Sequence, residues 1–438
     1  MTTRAYLERY WRYFLLSAMF VILLAAGVSI VATLPPRTIV MATGPKGGAD
    51  YELGARYREI LAKSGVTLQL RPTMGSLESL ELLRDSTSGV KVGLIQGGVA
   101  NKTEYLGVES LGAIAYEPLW LFYRSEVGAN LQGLAGRRLS IGPEGSGSRA
   151  LALEILKRTK LDGVIGEVLD FAPQVASEKL MAGDIDAAFF VTAWDSPVVQ
   201  TLLSAKGIEL ASFARADAFV ALYPFLNKLM LPAGVVDLLA NRPPADIVLL
   251  APKASIAVRG DLHSAIQYLL LTAATKIHSQ PGIFQKAGQF PAAESIDLPL
   301  SDEAQRFYKS GRPFLQEYLP FWLATIVERL IVVFVPLAAV MYPLFKLLPN
   351  IYNWIMRSKI ETLYVEMRSV ERAMEDHARE PGANEIDAKL DQLEERASRL
   401  SLPASYGSSL YTLRSHIGLI RSRFELARAK GSSRAKEH

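Results

Sequence analysis

Cysteine is absent from the 438-residue chain. That excludes a disulfide framework, a thiolate metal site, a cysteine nucleophile and a lipoprotein-type cysteine anchor. Histidine is scarce. His263, His278, His377, His416 and His438 are scattered and compose neither a metal set nor a Ser–His pair. The phosphate and hydrolase loops are missing too: no G-x-x-x-x-G-K-[ST] and no G-x-S-x-G occurs, and the glycines around Gly142 do not form G-x-G-x-x-G. Asp184 and Asp186 read as turn and edge chemistry beside Gly183. The net charge is only +4 and the Lys and Arg are dispersed, without a basic stripe interleaved with aromatics, so no nucleic-acid partner is expected. Neither catalysis nor a resident cofactor or metal is expected.

Two long apolar runs are present. Phe14 to Leu34 carries no charge over a length that matches a bilayer core at about 1.5 Å per residue. Arg4, Arg9 and Arg12 precede it and Pro35-Pro36 ends it. An uncleaved anchor is the expectation, with a cleaved leader as the alternative because small residues recur between Leu23 and Ala32. The second run lies at 321–348, with Pro336 and Pro343 as expected kinks. Glu328 and Arg329 would each cost about 2.5–3.5 kcal/mol at mid-bilayer, so they belong at the outer interface, with Tyr318 and Trp322 as an aromatic belt. Lys346, Arg357 and Lys359 follow the run. Positive residues thus flank the outer ends of both spans, which expects both termini in the cytoplasm and residues 36–320 outside.

That external part reads as α/β. Strand-like 37–42, a helical pattern on Leu53, Tyr57, Ile60 and Leu61, a strand at 67–70, a helix on Leu77, Leu80 and Leu83 and a strand at 90–95 alternate. The pattern restarts after Glu117, with strands at 119–123, 138–141 and 185–191 and helices after Gly147 and over 174–182. Late strands at 246–251 and 255–258 are expected to return the chain to the first lobe, giving a hinge of two crossings and a cleft. The expected organisation is a cytoplasmic stretch at 1–13, a span at 14–34, lobe 1 at 36–120, lobe 2 at 121–245, the return at 246–320, a span at 321–348 and helices at 357–430.

Ligands in open α/β sheets sit beyond the carboxyl ends of strands, where glycine lets backbone N–H groups approach closely. A following helix adds its positive end, about 0.3–1 kcal/mol for an exposed anion. Four loops fit: 43–50, Gly75-Ser76, Gln96-Gly97-Gly98 and 145–149. Hydroxyls of Thr43, Ser76, Ser146 and Ser148 are candidates for ligand hydrogen bonds, Tyr51 or Trp194 for an apolar cover and Arg149 for pairing an anion. The plainer alternatives are turns for the glycines, helix caps for Ser146 and Ser148, solvated charges for Arg149 and Lys46, and packing for Trp194.

Beyond the second span, Ile360, Leu363, Met367, Val370 and Met374 recur at three and four. So do Ile386, Leu390, Leu393, Ala397 and Leu400, and Leu410, Leu413, Ile417, Ile420 and Phe424. These heptad-like stripes expect two or three antiparallel helices, either closed on themselves or engaged in self-association or docking.

Several stretches resemble one known family. Ala42-Thr43-Gly44-Pro45-Lys46-Gly47-Gly48-Ala49-Asp50-Tyr51-Glu52-Leu53-Gly54 is similar to the opening A-T-G-x-x-G-G-x-Y-x-x-L-G of TAXI-type solute receptors of TRAP transporters. Met74 to Leu80, Val92 to Val99, Ser140 to Arg149 and the strand ending at Val191 resemble further segments of that family in the same order, and the part after Gly311 resembles its membrane-bound branch. The resemblance implies a type II periplasmic-binding fold, flanked by two transmembrane helices and a C-terminal all-α unit, in a bacterial inner membrane. It implies capture of a small solute, an organic acid or an amino-acid-like molecule, for a TRAP-type permease, with a membrane-spanning sensor or scaffold as the alternative. By position it points to Thr43, Gly44, Gly48, Tyr51, Ser76, Gln96, Ser146 and Ser148; Gly147, Arg149 and Trp194 come from the loops themselves. The chain departs from the pattern at Asp50, Met74 and Gly97-Gly98, and an acid in the first loop disfavours an anion.

Overall fold

Apolar residues at helical and strand spacing build the first lobe. In the computed structural model, which describes Ser17, Phe20, Val21, Gly27 and residues 34–434 apart from 101–102, 128–130, 295–296, 312–313, 377–382, 401 and 403, the chain opens with β1 (Thr38–Thr43), α1 (Ala49–Lys63), β2 (Thr67–Pro72), α2 (Ser76–Arg84), β3 (Val90–Gln96) and β4 (Val108–Tyr116). Gly54, Tyr57 and Leu61 form the buried stripe of α1, an i, i+3, i+7 spacing that turns one face to the sheet. The expected span 14–34 lies almost wholly outside the described residues.

The second series follows: β5 (Leu119–Arg124), β6 (Arg138–Ser140), α3 (Gly147–Arg158), β7 (Glu167–Leu169), α4 (Pro173–Ala182), β8 (Ala187–Val191), α5 (Pro197–Ser204), β9 (Ile208–Leu210), α6 (Ala216–Leu222), β10 (Asn227–Leu231) and β11 (Ile247–Ala251). Proline in the first turn and left-handed Gly183 (φ 87°) after the last turn delimit α4. The chain then forms β12 (Lys253–Arg259), α7 (Ser264–His278), α8 (Asp302–Ser310), α9 (Phe314–Tyr318), α10 (Phe321–Asp376), α11 (Ala383–Arg399) and α12 (Gly407–Arg434).

Two sheets result. The first has the order β2-β1-β3-β12-β4, with β1 parallel to β2 and β3 and with β12 antiparallel to β3 and β4. The second runs β10-β11-β5-β8-β6-β7, with β9 on β5. A core around Met41, Tyr57, Ile256 and Leu270 fills the first lobe. Separate cores flank the second sheet, one around Leu121, Leu139 and Phe189 and one around Trp120, Phe190 and Leu249.

The chain passes between sheets at Glu117-Pro118, from β4 to β5, and at Pro252, from β11 to β12. The Glu117 amide donates to the Pro252 carbonyl oxygen at 3.0 Å, so the two crossings lie side by side as a hinge. The return comes later than the expected boundary at 246. Residues 247–251 stay in the second sheet, because Leu250 registers with Leu119 and the strand pairs along its length with β10.

Helix α10 begins on the first lobe. Ala324 and Thr325 are buried, the indole of Trp322 lies against Gly65 and under the Arg37 guanidinium, and an Arg329 guanidinium nitrogen stands 3.4 Å from His263 Nε2. Trp322 and Arg329 therefore pack on the lobe. Among the described residues one stretch, Phe321–Pro343, is long and apolar enough to cross a membrane, with a mean hydropathy of 2.2. The two spans expected are thus one within what is described. The helix runs unbroken through Pro336 and Pro343.

The chain divides after Leu330 into a second unit, which is helical. Its three apolar stripes meet in one core, with Leu363 and Met367 against Leu390 and Leu393 and against Leu413 and Ile417. Pairings fix the directions. Tyr364 meets His416 and Arg423 meets Glu371, a constant offset that makes the α10 tail and α12 parallel. Arg414 reaches the Ala397 carbonyl and Arg428 reaches Asp387, so α11 runs against α12. The stripes are used inside this up-down-up bundle.

Candidate functional site

Lobe 1 brings three strand ends to one place. The loop after β1 (Gly44 to Asp50), the turn after β2 (Met74 to Ser76) and Gln96 at the end of β3 face a cleft. Lobe 2 supplies the loop after β6 (Gly142, Pro143 and Ser146 to Ser148), the segment after β7 (Phe171 to Gln174), the end of β8 and the start of α5. Glu117 of the hinge completes the wall. The space between these walls is about 200 Å³, several times one water's share of the liquid, about 30 Å³.

The lobes touch across it. Gln96 Nε2 donates to the Gly147 carbonyl oxygen at 3.2 Å. Gly75, at φ 148°, lies so close to lobe 2 that a Cβ there would stand 2.9 Å from Ser146 Cα. Gly75 is thus required by close approach of backbones, whereas Gly147 makes room for the Gln96 side-chain amide. A Cβ on Gly147 would fall 2.3 Å from Gln96 Oε1.

Several expected residues line this space: Gly44, Gly48 and Ser76 from lobe 1, with Gln96, and Ser146, Gly147 and Ser148 from lobe 2. Their hydroxyls also have structural duties. Ser76 Oγ accepts from the Gln96 amide at 2.9 Å, Ser146 Oγ caps α3 by accepting from the Arg149 amide at 3.2 Å, and Ser148 Oγ accepts from the Val191 amide at 3.0 Å. Helices α1 and α2 instead start at Gly48 and Gly75, which bring no side-chain cap. Apart from the Tyr51 amide, which donates to the Gly48 carbonyl oxygen at 3.1 Å, their first-turn N–H groups are therefore open to a ligand.

Four expected residues stand outside the lining. Thr43 is fully buried beneath it and its hydroxyl donates to the Gly44 carbonyl at 3.3 Å. The Arg149 guanidinium turns to the Gly142 carbonyl oxygen at 3.4 Å. Trp194 packs on Trp120 and Phe284, with ring centroids 6.0 and 6.2 Å away, and so belongs to a lobe 2 core. Tyr51 is half-buried on α1 and does not line the space.

Two lining acids were not among the expected site residues. Asp50 lies in the first turn of α1, its carboxyl folded against Gly44, and Glu117 sits in the hinge. Both are half-buried because they open onto the cavity, yet the cleft walls surround them. That enclosure pushes the Asp50 carboxyl up to about 6 and the Glu117 carboxyl well above its usual range, with Asp50 adding to the Glu117 rise. Neither carboxyl has a hydrogen-bond or ion-pair partner among the described residues. Asp50 was visible in the sequence as an acid inside a glycine loop; Glu117 carried no signal beyond the restart of the β/α pattern behind it. Among the described residues no group of three or more His, Asp or Glu is set to hold a metal ion.

This geometry, a cleft at the strand ends of two lobes over a double hinge, accompanies a match of the NMT1-like family model to residues 41–310. The chain belongs to the NMT1-like family. The matched part takes in both lobes and stops before α10. Its fold is a mixed α/β, periplasmic-binding-protein-like one, followed by a helical region. The alkanesulfonate-binding protein SsuA of Xanthomonas axonopodis pv. citri, solved with MOPS, is similar at 14% identity, over 55% of this chain and 73% of that one, with a TM-score of 0.37. A Salmonella typhimurium periplasmic binding protein of high arginine specificity is similar at 11% identity, over 56% and 95%, with a TM-score of 0.36.

Proposed function

We propose that this member of the NMT1-like family captures a small solute between its lobes on the outer side of a bacterial inner membrane and delivers it to a TRAP-type permease. The observation that carries the reading is one cleft whose walls come from strand ends of both lobes and from the hinge. Open first-turn amides of α1 and α2 and the apolar wall at Phe171 suit a small polar molecule with an organic body. Gly44, Gly48, Ser76, Gln96, Ser146, Gly147 and Ser148 are its proposed contacts. Catalysis has no place in this reading.

The apolar stretch Phe321–Pro343 supports anchorage in the bilayer, with the helical tail in the cytoplasm. One observation favours a second reading. The tail packs a core of its own and forms a separate unit, which suits a membrane-spanning sensor or scaffold that answers to the lobes. The two readings part on one experiment. The full chain in detergent is screened for thermal stabilisation by small solutes, and uptake of any stabilising solute is measured in cells with and without the gene. A solute held at a hundred times its Kd adds about 2.7 kcal/mol of stability. Stabilisation with lost uptake supports delivery, stabilisation with normal uptake supports the sensor, and no stabilisation contradicts both.

A further inference from the structure

Two of the positive side chains near the cleft are turned elsewhere. Arg56, on the same helix as Asp50, points across to Asp195, 3.9 Å away. Arg149 turns to the Gly142 carbonyl oxygen. Lys46 is on the lining, but it is exposed and pairs with neither acid. Asp50 and Glu117 thus line one small cleft from two directions, the first from the lobe 1 helix and the second from the hinge, and no positive side chain among the described residues pairs with either.

Two carboxyl groups in one desolvated site repel each other when both ionise, and an unpaired buried charge is costly. A chain that keeps both acids there has a strong preference for whatever positive group enters between them. A plain dicarboxylate leaves both acids without a partner. The space is too large for a single water and is walled partly by phenylalanine, which suits a cation carried on a carbon body rather than a bare ion.

We infer that the solute carries a cationic nitrogen, an ammonium, amidinium or guanidinium group, which lodges between Asp50 and Glu117. The inference rests on the solute-capture reading and narrows it from organic acids toward cationic, amino-acid-like molecules. Because Glu117 belongs to the hinge and its amide bonds to the second crossing at Pro252, a cation held by both acids ties lobe 1 to the pivot.

The test is calorimetric titration of the full chain in detergent with L-arginine, L-lysine, putrescine and choline as cationic probes, succinate and pyruvate as nitrogen-free anions, and calcium chloride alone. At least one cationic probe is expected to bind in a one-to-one ratio, and neither anion. Asp50→Asn is expected to weaken that probe at least tenfold and the Asp50→Asn/Glu117→Gln pair at least a hundredfold. Each variant is checked for a cooperative melt no lower than that of the parent, so that lost binding is not lost folding. If an anion binds and Asp50→Asn strengthens it, the cationic assignment is overturned while solute capture stands. If calcium alone binds and the organic cations do not, the organic assignment is overturned. If no probe of either sign binds, solute capture falls and this inference with it.

Discussion

Gln96 Nε2, at the end of a lobe 1 strand, donates to the carbonyl oxygen of Gly147, in the first turn of a lobe 2 helix, at 3.2 Å. A Cβ at the second position would stand 2.3 Å from Gln96 Oε1, so the Gln96 amide would have to swing aside and give up this bond. Gly147→Ala is therefore expected to disfavour the closed pairing of lobes while leaving each core intact. Solute affinity should fall about tenfold or more, which is about 1.4 kcal/mol. Isothermal titration of the variant, with its melting temperature as a control, checks this.

The acid pair and a buried histidine pull stability in opposite directions with pH. The Asp50 carboxyl is held at about 6 against an ordinary 3.8, so the folded chain binds the extra proton; that stability is present at low pH and lost as pH rises through 6. Glu117, raised by burial and by Asp50, extends the same trend upward. His278 is held at about 4 against 6.5 by burial and by Arg56, beside the Tyr57 hydroxyl, so its contribution is present above 6.5 and lost as pH falls toward 4. The two trends oppose each other between about pH 4 and 6, and stability of the solute-free chain should vary little there. Asp50→Asn should uncover the histidine slope and His278→Gln the opposite one. At neutral pH, Asp50→Asn should stabilise the empty chain by on the order of 2 kcal/mol. Urea unfolding across that pH range reads all three.

Much of this arrangement is legible in the order of residues, and the reasons are local. Gly-Ser loops behind apolar strand runs announce the strand ends, and the cleft is made from those ends. Glu117 is different. Its neighbours Tyr116 and Pro118 say only that a strand stops, and its place in the cleft depends on Pro252 lying beside it, a contact set by tertiary folding. Strand β4 is likewise hidden, because Gly112 sits in it at φ 104° and its pairing with β12 slips register, which breaks the alternation a strand shows. Trp194 and Arg149 have the chemistry of ligand contacts, but one ring packs on Trp120 and one guanidinium turns to Gly142, choices that spacing alone does not reveal. The heptad stripes of the tail predict helices that pack; that they pack on one another follows only from the fold.

The tail core offers a separate test. Leu390 and Leu413 are buried where α11 and α12 meet the end of α10. Leu413→Ala should destabilise that bundle by about 2–5 kcal/mol and leave solute affinity in the lobes unchanged. Two-stage melting followed by circular dichroism, paired with a solute titration, checks both halves.

The membrane reading predicts a sidedness. A reporter active only outside the cytoplasm should work when fused at 320, and a cytoplasmic reporter should work when fused after Arg434. Four charges placed within Val332–Val335 should silence the cytoplasmic reporter after Arg434, since each costs about 2.5–3.5 kcal/mol at mid-bilayer.

The most direct measurement is a distance across the cleft. The chain has no native cysteine, so Glu59→Cys on α1 and Glu178→Cys on α4, both exposed, take spin labels without interference. Pulsed dipolar spectroscopy on the full chain in detergent should show a longer or broader distribution without solute, collapsing to one short distance when a cationic probe such as L-arginine or putrescine is added. A distribution that no probe of either charge moves would contradict closure of the two lobes over a solute.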